Sequence, residues 1–158
     1  MSDIWTVMES PVGEILIRSD GTAITEIAFS PFETPVEGRS DDAPILTDAR
    51  AQLSRYFAGE LTEFDLPLRP SGTEFQRRVW AALTAIPFGT TASYGQIAVQ
   101  IGMTPSASRA VGLANGRNPI AIVVPCHRVV GANGKLVGYA GGLDRKRHLL
   151  KLEDTALV

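Results

Sequence analysis

The chain has 158 residues and the apolar content of an ordinary globular protein, which allows one or two small domains. No apolar run could span a bilayer, and residues 1–10 lack a secretory signal, so we expect a cytoplasmic protein without membrane contact. One cysteine cannot form an internal disulfide, and with only two histidines beside it we expect neither a metal site nor a cofactor.

Charge is distributed unevenly along the chain. Residues 1–70 hold five Lys/Arg and thirteen Asp/Glu, a net charge of −8. Residues 71–158 hold ten Lys/Arg and four Asp/Glu, a net charge of +6. This asymmetry predicts an acidic module over 1–70 and a basic module over 71–158 that binds a polyanion, with nucleic acid favoured. The alternative is a solvated surface of uneven charge.

The first half predicts a small α/β domain. Strands are expected at Ile4–Glu9, Glu14–Arg18 and Ala23–Phe29, joined by tight turns into an antiparallel meander. A helix begins at Pro44 and ends at Gly59. Nothing in this half forms a catalytic constellation.

The second half opens with three predicted helices. Thr73–Gln76 is a capping box, and Ser93 with Gln96 forms another at the start of the second helix. Thr104-Pro105 is expected to cap a third helix over Ser106–Asn115. Two short helices, a glycine-containing turn and a third helix are typical of a helix-turn-helix.

The third helix is built almost entirely from small residues, with Arg109 as its one charge. Small side chains allow close approach of a backbone, either to another helix or to DNA. The positive charge of this half favours DNA docking over simple helix packing.

The segment Ile122–Val130 contains the only cysteine. A thiol becomes a good nucleophile as a thiolate, and His127 beside Cys126 could activate it, although a buried cysteine can also be simple packing. Neighbours on an extended backbone point to opposite sides, so contact requires a backbone turn or a bridging water. Few acids are available to orient the imidazole, and Glu153 is chosen on scarcity alone.

Three further elements follow the cysteine. Gly131–Gly134 has a hairpin signature, and Leu136–Gly142 is a glycine-rich loop that lacks the features of a phosphate-binding loop but could lie against a flat ligand. Asp144 is expected to cap a final helix. Its basic side chains are expected to face solvent: Arg145, Lys146, Arg147 and Lys151.

Pro125–Val129 resembles the active-site signature of the O6-alkylguanine-DNA alkyltransferases. Four more blocks resemble that family in the same order: Ser93–Ala98, Arg109–Gly112, Asn118–Pro119 and Tyr139–Leu143. The resemblance covers nearly all of residues 73–153, whereas the first half is similar only in layout. It implies a ribonuclease-H-like sheet-and-helix domain followed by a mainly α, winged helix-turn-helix domain.

The resemblance also implies irreversible, single-turnover transfer of an alkyl group from O6-alkylguanine, and from O4-alkylthymine, in duplex DNA. Cys126 would take the alkyl group, His127 would deprotonate it through a water, and Glu153 would orient His127. Asn118 would brace the turn between the recognition helix and the active site. The protein would be a monomer when free, would cluster on DNA and would associate with a bacterial nucleoid.

DNA contacts are implied in the same way. The third helix would enter the minor groove, Arg109 would fill the gap left in the base stack, and Tyr94 would press on the target phosphate. The other implied DNA-binding residues are Ser93, Thr104, Ser106, Ala107, Ala110, Gly112, Asn115 and Arg128. The implied pocket for the flipped base consists of Tyr94, Asn118, Val129, Leu136, Val137, Gly138, Tyr139, Ala140 and Gly141.

The sequence departs from the family pattern at two points. Ala140 stands where some members have a serine, which predicts an altered substrate range, and the zinc ligands of some members are absent. Three other functions remain as alternatives: a damage sensor that binds without transfer, a thiol hydrolase and a redox-responsive DNA-binding regulator. Relatives that act as damage sensors lack the cysteine. A thiol hydrolase would leave the basic module without a purpose. A redox-responsive regulator would need an exposed thiol.

Overall fold

The computed structural model of the chain describes residues 3–156, with side chains through residue 154. The chain forms two compact units. The N-terminal unit runs to Ser71 and includes Pro119–Ala121, and the C-terminal unit takes Gly72–Asn118 and the chain from Ile122 onward. The sequence predicted two contiguous domains, 1–70 and 71–158, and did not predict that residues 119–121 return to the first unit. Residues 1–2 and 157–158 of these predicted domains lie outside the described range.

The N-terminal unit is the predicted three-stranded antiparallel sheet. Strands β1 (Ile4–Met8), β2 (Ile15–Ser19) and β3 (Ile24–Phe29) pair in chain order. The three apolar residues that begin the central strand β2 are all buried, as expected of a strand with neighbours on both sides. Helix α1 (Pro44–Phe57) packs on this sheet through a stripe of side chains at helical spacing: Leu46, Ala49, Leu53 and Tyr56.

The C-terminal unit contains the two predicted capping boxes. Thr73 and Gln76 exchange hydrogen bonds at the start of α2 (Glu74–Thr84), and Ser93 and Gln96 do the same at the start of α3 (Tyr94–Gln100). Each box satisfies backbone N–H groups that have no partner within the helix. Both predictions are confirmed.

The third helix starts later than predicted. Pro105–Ala107 forms a 3-10 turn, and α4 spans Ser108–Gly116 with Ala107 at its cap. Thr104 stands at the N-cap position of this 3-10 turn with Pro105 at its start, as predicted. Its hydroxyl makes no capping hydrogen bond, because it bonds the Ser106 hydroxyl at 2.5 Å instead.

Helices α2, α3 and α4 pack against one another around one core. The Trp80 indole lies in that core and donates from Nε1 to the Ala114 carbonyl at 2.8 Å, which joins α2 to α4. The other core side chains of these helices are Val79, Leu83, Ile97, Ala98, Val111 and Ala114. This arrangement is the helix-turn-helix predicted from the sequence.

The chain after α4 forms the framework of the candidate site. Cys126–Arg128 is a 3-10 turn and leads into β5 (Val129–Val130), which pairs in parallel with β4 (Ala92–Ser93). The predicted hairpin at Gly131–Gly134 was wrong: within the described residues the segment makes a local turn, because β5 takes its partner from the residues that precede α3.

The last helix, α5, spans Leu143–Ala156 and brings its inner face to the Cys126–Arg128 turn. Asp144 is its second residue, so the prediction that Asp144 is the cap was wrong. The Asp144 carboxylate instead accepts from Arg147 at 3.0 Å. Within residues 3–156, no helix has the length and apolar character needed to cross a membrane.

Candidate active site

The Cys126 thiol lies on a backbone turn and is almost buried. Its side chain is 6% exposed, and its backbone N–H donates to the Val124 carbonyl at 2.8 Å. Burial raises the pKa of the thiol because a thiolate is poorly solvated there. Hydrogen bonds from Asn118 and Tyr139 and the positive charge of Lys146 act in the opposite direction and lower that pKa. The site therefore holds a neutral thiol that is surrounded by groups able to stabilise its anion.

A buried cluster of three charged or polar side chains lies beside the thiol. His127 Nε2 is 2.6 Å from Glu153 Oε2, and Arg128 donates from Nε to Glu153 Oε1 at 2.9 Å. A second Arg128 nitrogen reaches Glu153 Oε2 at 3.2 Å, and a third donates to the Ile86 carbonyl at 2.7 Å. The backbone turn brings His127 to α5, where Glu153 fixes the orientation of the imidazole ring.

His127 is held as a neutral base. Burial lowers the pKa of the imidazole, and the positive charges of Arg128 and Lys146 lower it further, against the opposing effect of Glu153. A neutral imidazole carries one proton, and Glu153 requires that proton on Nε2. Nδ1 is then an acceptor, and it has no hydrogen-bond partner among the described residues. The ring is therefore prepared to receive a proton at Nδ1.

Lys146 is fully buried, which contradicts the prediction that it faces solvent. Its ammonium donates to the Val129 carbonyl at 2.6 Å and to the Val137 carbonyl at 3.0 Å. Burial lowers the pKa of this amine, and the neighbouring Cys126 raises it. The sequence contained a signal for this burial. Lys146 precedes Leu149 by three residues and Leu149 precedes Glu153 by four, so all three share one face of α5.

An open cavity of about 490 Å³ lies against α4, Tyr94 and the segment 137–140. Two of its lining residues reach Cys126: the Tyr139 side chain hydrogen-bonds the sulfur, and Asn115 Nδ2 donates to the Cys126 carbonyl at 3.3 Å. The Tyr94 hydroxyl donates to the Val137 carbonyl at 3.3 Å across the same cavity. The remaining lining residues are Ser108, Arg109, Gly112, Gly116, Gly138 and Ala140. The volume is in the range of small-molecule sites and accommodates a purine base.

Two family profiles match the sequence. Residues 74–155 match "6-O-methylguanine DNA methyltransferase, DNA binding domain", and residues 4–70 match the ribonuclease-like domain of the same family. The chain belongs to the 6-O-methylguanine DNA methyltransferase family. Its resemblance to the alkyltransferases, stated above from five sequence blocks, is thereby confirmed.

Individual relatives cover nearly the whole chain. A methylated-DNA–protein-cysteine methyltransferase of Methanosarcina acetivorans is 53% identical over 152 residues, 94% of this chain and 97% of its own length. One from Mycolicibacterium paratuberculosis is 54% identical over 151 residues, with coverages of 94% and 91%. The solved Mycobacterium tuberculosis protein of the family, in complex with DNA, has a TM-score of 0.90 and 51% identity over 96% of this chain and 93% of that one.

The DNA-binding residues implied by the family resemblance lie in two different environments. Arg109 and Ala110 are exposed on α4, and Thr104 and Ser106 are exposed just before it, whereas Ser93, Tyr94, Ala107 and Gly112 are partly covered. Asn115 and Arg128 are buried, with 3% and 7% exposure, and their side chains bind Cys126, Glu153 and Ile86. Internal hydrogen bonds therefore hold both side chains in the free protein, and their assignment as DNA-binding residues stays a prediction.

The predicted pocket residues are also divided. Tyr94 and the segment 137–140 line the cavity, whereas Leu136 and Gly141 do not belong to its lining. Val129 is fully buried in β5 and contributes its carbonyl to Lys146 rather than a pocket wall. Asn118 donates from Nδ2 to the Val124 carbonyl at 2.8 Å, which holds the turn before Cys126. No group of three or more His, Cys, Asp or Glu side chains within residues 3–154 is placed to hold a metal ion.

Proposed function

We propose that this chain repairs DNA directly, by transferring the alkyl group of O6-alkylguanine in duplex DNA to Cys126, once per molecule. The observation that carries the proposal is the buried Cys126 thiol, which precedes a neutral His127–Glu153 pair and shares its neighbour Tyr139 with an open cavity large enough for a base. The names of the relatives, methylated-DNA–protein-cysteine methyltransferases, and the DNA complex of the M. tuberculosis relative support the same reaction and partner.

Duplex DNA would bind along α4. The exposed side of this helix carries the small residue Ala110 and the cation Arg109, and the C-terminal half of the chain is positively charged overall. Small side chains let a helix approach a groove closely, while the positive charge binds phosphates. Arg109 also lines the cavity, which supports a role for its guanidinium in filling the gap in the stack when a base leaves it.

The target base must leave the duplex, because the alkyl carbon on guanine O6 is inaccessible inside the base stack. Extrusion costs a few kcal/mol, and least for a poorly paired, damaged base, which gives some selectivity for damage. Tyr94 lines the cavity with its ring near Gly112 of α4, and this ring would press on the backbone of the extruded nucleotide. The segment 137–140 then covers the base.

The transfer is an in-line displacement at carbon. The Cys126 thiol proton moves to His127 Nδ1 through a water, and the thiolate attacks the alkyl carbon. The new S–C bond forms as the C–O6 bond breaks, and the electron pair of that bond stays on the guanine oxygen. The proton held by His127 is returned to the base, which leaves as ordinary guanine. The thioether has no easy reverse reaction, and the chain has no second cysteine, so each molecule reacts once.

Three neighbours of the sulfur favour formation of the thiolate, although burial disfavours it. Asn118 and Tyr139 hydrogen-bond it, and the Lys146 ammonium supplies positive charge. A thiolate held by such groups in a dry site is a strong nucleophile, since it loses the water that would otherwise stabilise it. The same groups would stabilise the negative charge that passes from sulfur to oxygen during transfer.

The test is an intact mass measurement after the protein is mixed with duplex DNA containing O6-methylguanine, followed by peptide mapping. We expect a gain of one methylene on the Cys126 peptide, saturating at one per protein, and no gain in a Cys126→Ser variant. Repaired DNA with unmodified protein would show a regenerating enzyme and refute single-turnover transfer. Unrepaired DNA with retained binding would instead support a damage sensor.

A further inference from the structure

The guanidinium of Arg128 is bound on several sides by groups of the C-terminal unit. Its side chain is 8% exposed, and it donates to the Glu153 carboxylate from Nε at 2.9 Å and from a terminal nitrogen at 3.2 Å. The other terminal nitrogen donates to the Ile86 carbonyl at 2.7 Å, and the centre of the Phe88 ring lies 5.7 Å from the guanidinium carbon. This two-point contact fixes the carboxylate in place and sets a full positive charge against it.

The Glu153 carboxylate has a second neighbour that can become a cation, since it lies 2.6 Å from His127 Nε2. Burial lowers the pKa of His127, while Glu153 acts in the opposite direction and raises it. An imidazolium has no lone pair left to accept a proton, so a charged His127 could not take the proton of the thiol. The site therefore needs a His127 that Glu153 orients but does not convert into a cation.

Arg128 meets this need because a guanidinium stays charged at every pH at which the protein is folded. After burial, which has the largest effect, the charge of Arg128 also lowers the pKa of His127. Lys146 acts in the same direction, but the carbonyls of Val129 and Val137 hold its ammonium. Helix α2 also packs on the turn, and its buried residues are uncharged: Val79, Trp80, Ala82 and Leu83.

We propose that Arg128 is a positioning residue for the transfer reaction: it neutralises Glu153, so that Glu153 orients His127 as an uncharged base. This inference rests on the proposed function, and it gives Arg128 a role different from the DNA contact that the family resemblance implies. Before transfer, His127 keeps one proton on Nε2 toward Glu153, and Nδ1 receives the thiol proton. Afterwards the positive charge of Arg128 favours return of that proton to the departing base.

The experiment measures the protonation state of His127 in the free protein. Nitrogen NMR of the two imidazole rings is recorded from about pH 5 to about pH 8.5, which brackets the ordinary histidine pKa, and His148→Gln assigns the signals. In the natural chain we expect His127 to stay neutral, with its proton on Nε2, at a pH where an exposed histidine is charged. In Arg128→Met its titration midpoint should rise by at least about one pH unit.

Glu153→Gln is the matched background, because it keeps an acceptor for Nε2 but carries no charge. In that background Arg128→Met should shift the His127 midpoint much less than it does beside the natural Glu153. Arg147→Met removes an exposed cation of α5 and should cause no shift. An unshifted midpoint in folded Arg128→Met would overturn the proposal. If that variant does not fold, as judged by circular dichroism, Arg128→Gln replaces it and is held to the same outcome.

The rate of Cys126 methylation gives a second measurement. The ratio of the natural rate to the Arg128→Met rate should be about tenfold larger at about pH 6 than at about pH 8.5, since His127 of the variant loses its extra proton as pH rises. A ratio that is the same at both pH values would mean that Arg128 only supports the fold. If the natural chain methylates Cys126 at neither pH, the proposed function fails, and the NMR titration still decides the role of Arg128.

Discussion

The two units of the molecule use charged side chains in opposite ways. In the N-terminal unit, Arg18 forms ion pairs with Asp3 at 3.1 Å and Glu26 at 3.3 Å, and all three side chains are at least one-third exposed. In the C-terminal unit, Glu153 pairs with Arg128 at 2.9 Å, and their side chains are 1% and 8% exposed. The same chemical pair is thus placed in water in one unit and away from water in the other.

This difference in burial distinguishes charges that serve solubility from charges that serve the reaction. Exposed ion pairs are screened by water and salt and contribute little to stability. A buried pair carries a large desolvation cost, which is offset only by close geometry and further hydrogen bonds, and an apolar replacement of equal volume is often as stable. The buried Glu153 group therefore needs a reason other than stability, and its position behind the neutral His127 imidazole supplies one.

Removing Glu153 should have the largest effect. Glu153→Ala leaves the Arg128 guanidinium buried without its carboxylate, which typically costs 3–5 kcal/mol, about 4 kcal/mol as a central value. It also releases the His127 ring, so methyl transfer should fall along with stability. Urea unfolding measures the first effect and the rate of Cys126 methylation the second.

Asp154→Ala is the control for this prediction, because Asp154 is the next residue of α5 and is exposed. We expect a change within about 0.5 kcal/mol for that variant. Equal destabilisation by the two substitutions would mean that burial of the Glu153 charge has no special energetic role.

Lys146 tests whether a buried charge can act on the thiol without touching the substrate. Lys146→Met keeps the length of the side chain but leaves the Val129 and Val137 carbonyls without this donor, at a cost of about 2 kcal/mol. Loss of the positive charge should raise the pKa of Cys126, because that charge lowers it in the natural chain. The pH–rate profile of methylation should shift to higher pH.

Lys151→Met is the corresponding control, since Lys151 is exposed on the same helix. It should alter neither the unfolding free energy nor the pH–rate profile. A profile that stays unchanged in Lys146→Met would show that the ammonium only fills space and satisfies the two carbonyls.

The pH dependence of stability should report His127. Burial lowers the pKa of the folded imidazole below its ordinary value of 6.5, so below that pH the unfolded chain binds a proton that the native state does not. The free energy of unfolding should therefore decrease as pH falls below about 6.5, by at most about 1.4 kcal/mol per pH unit for one group. His127→Gln should remove this slope, as measured by urea unfolding from about pH 5 to about pH 7.5, which brackets the ordinary imidazole pKa of 6.5.

The chain contains one other histidine, His148, which is exposed on α5. His148→Gln is therefore a matched substitution that should keep the slope. If the slope persists in His127→Gln and disappears in His148→Gln, the assignment of the buried neutral base is wrong.

Local rules predicted most of the framework. The two capping boxes, the stripe of α1 and the meander of β1–β3 depend on neighbours within a few residues, so the sequence contains the necessary information. The hairpin at Gly131–Gly134 failed because β5 pairs with β4, which lies more than thirty residues earlier in the chain. Such a long-range pairing leaves no local signal and can override a turn preference.

The candidate site shows the same division. Cys126 and His127 were found from their adjacency, and Glu153 from the scarcity of acids, although the backbone turn that joins them could not be read from the sequence. Lys146 was missed because lysine is rarely buried, and the internal contacts of Arg128 with Glu153 and Ile86 were not predicted, because its DNA-binding role came from the family resemblance. Both are exceptions for the same reason: each has partners supplied by distant segments of the chain.

The smallest effect is expected in the N-terminal unit, where Glu26→Gln removes one partner of Arg18. Because Arg18 also pairs with Asp3 and these side chains are partly exposed, the unfolding free energy should change by less than about 0.5 kcal/mol. The change should shrink further at high salt, since ions screen exposed charges, whereas the cost of Glu153→Ala should persist at high salt. Urea unfolding at low and high ionic strength measures both. A salt-independent cost above about 1 kcal/mol for Glu26→Gln would mean that the exposed pair is held as firmly as the buried one.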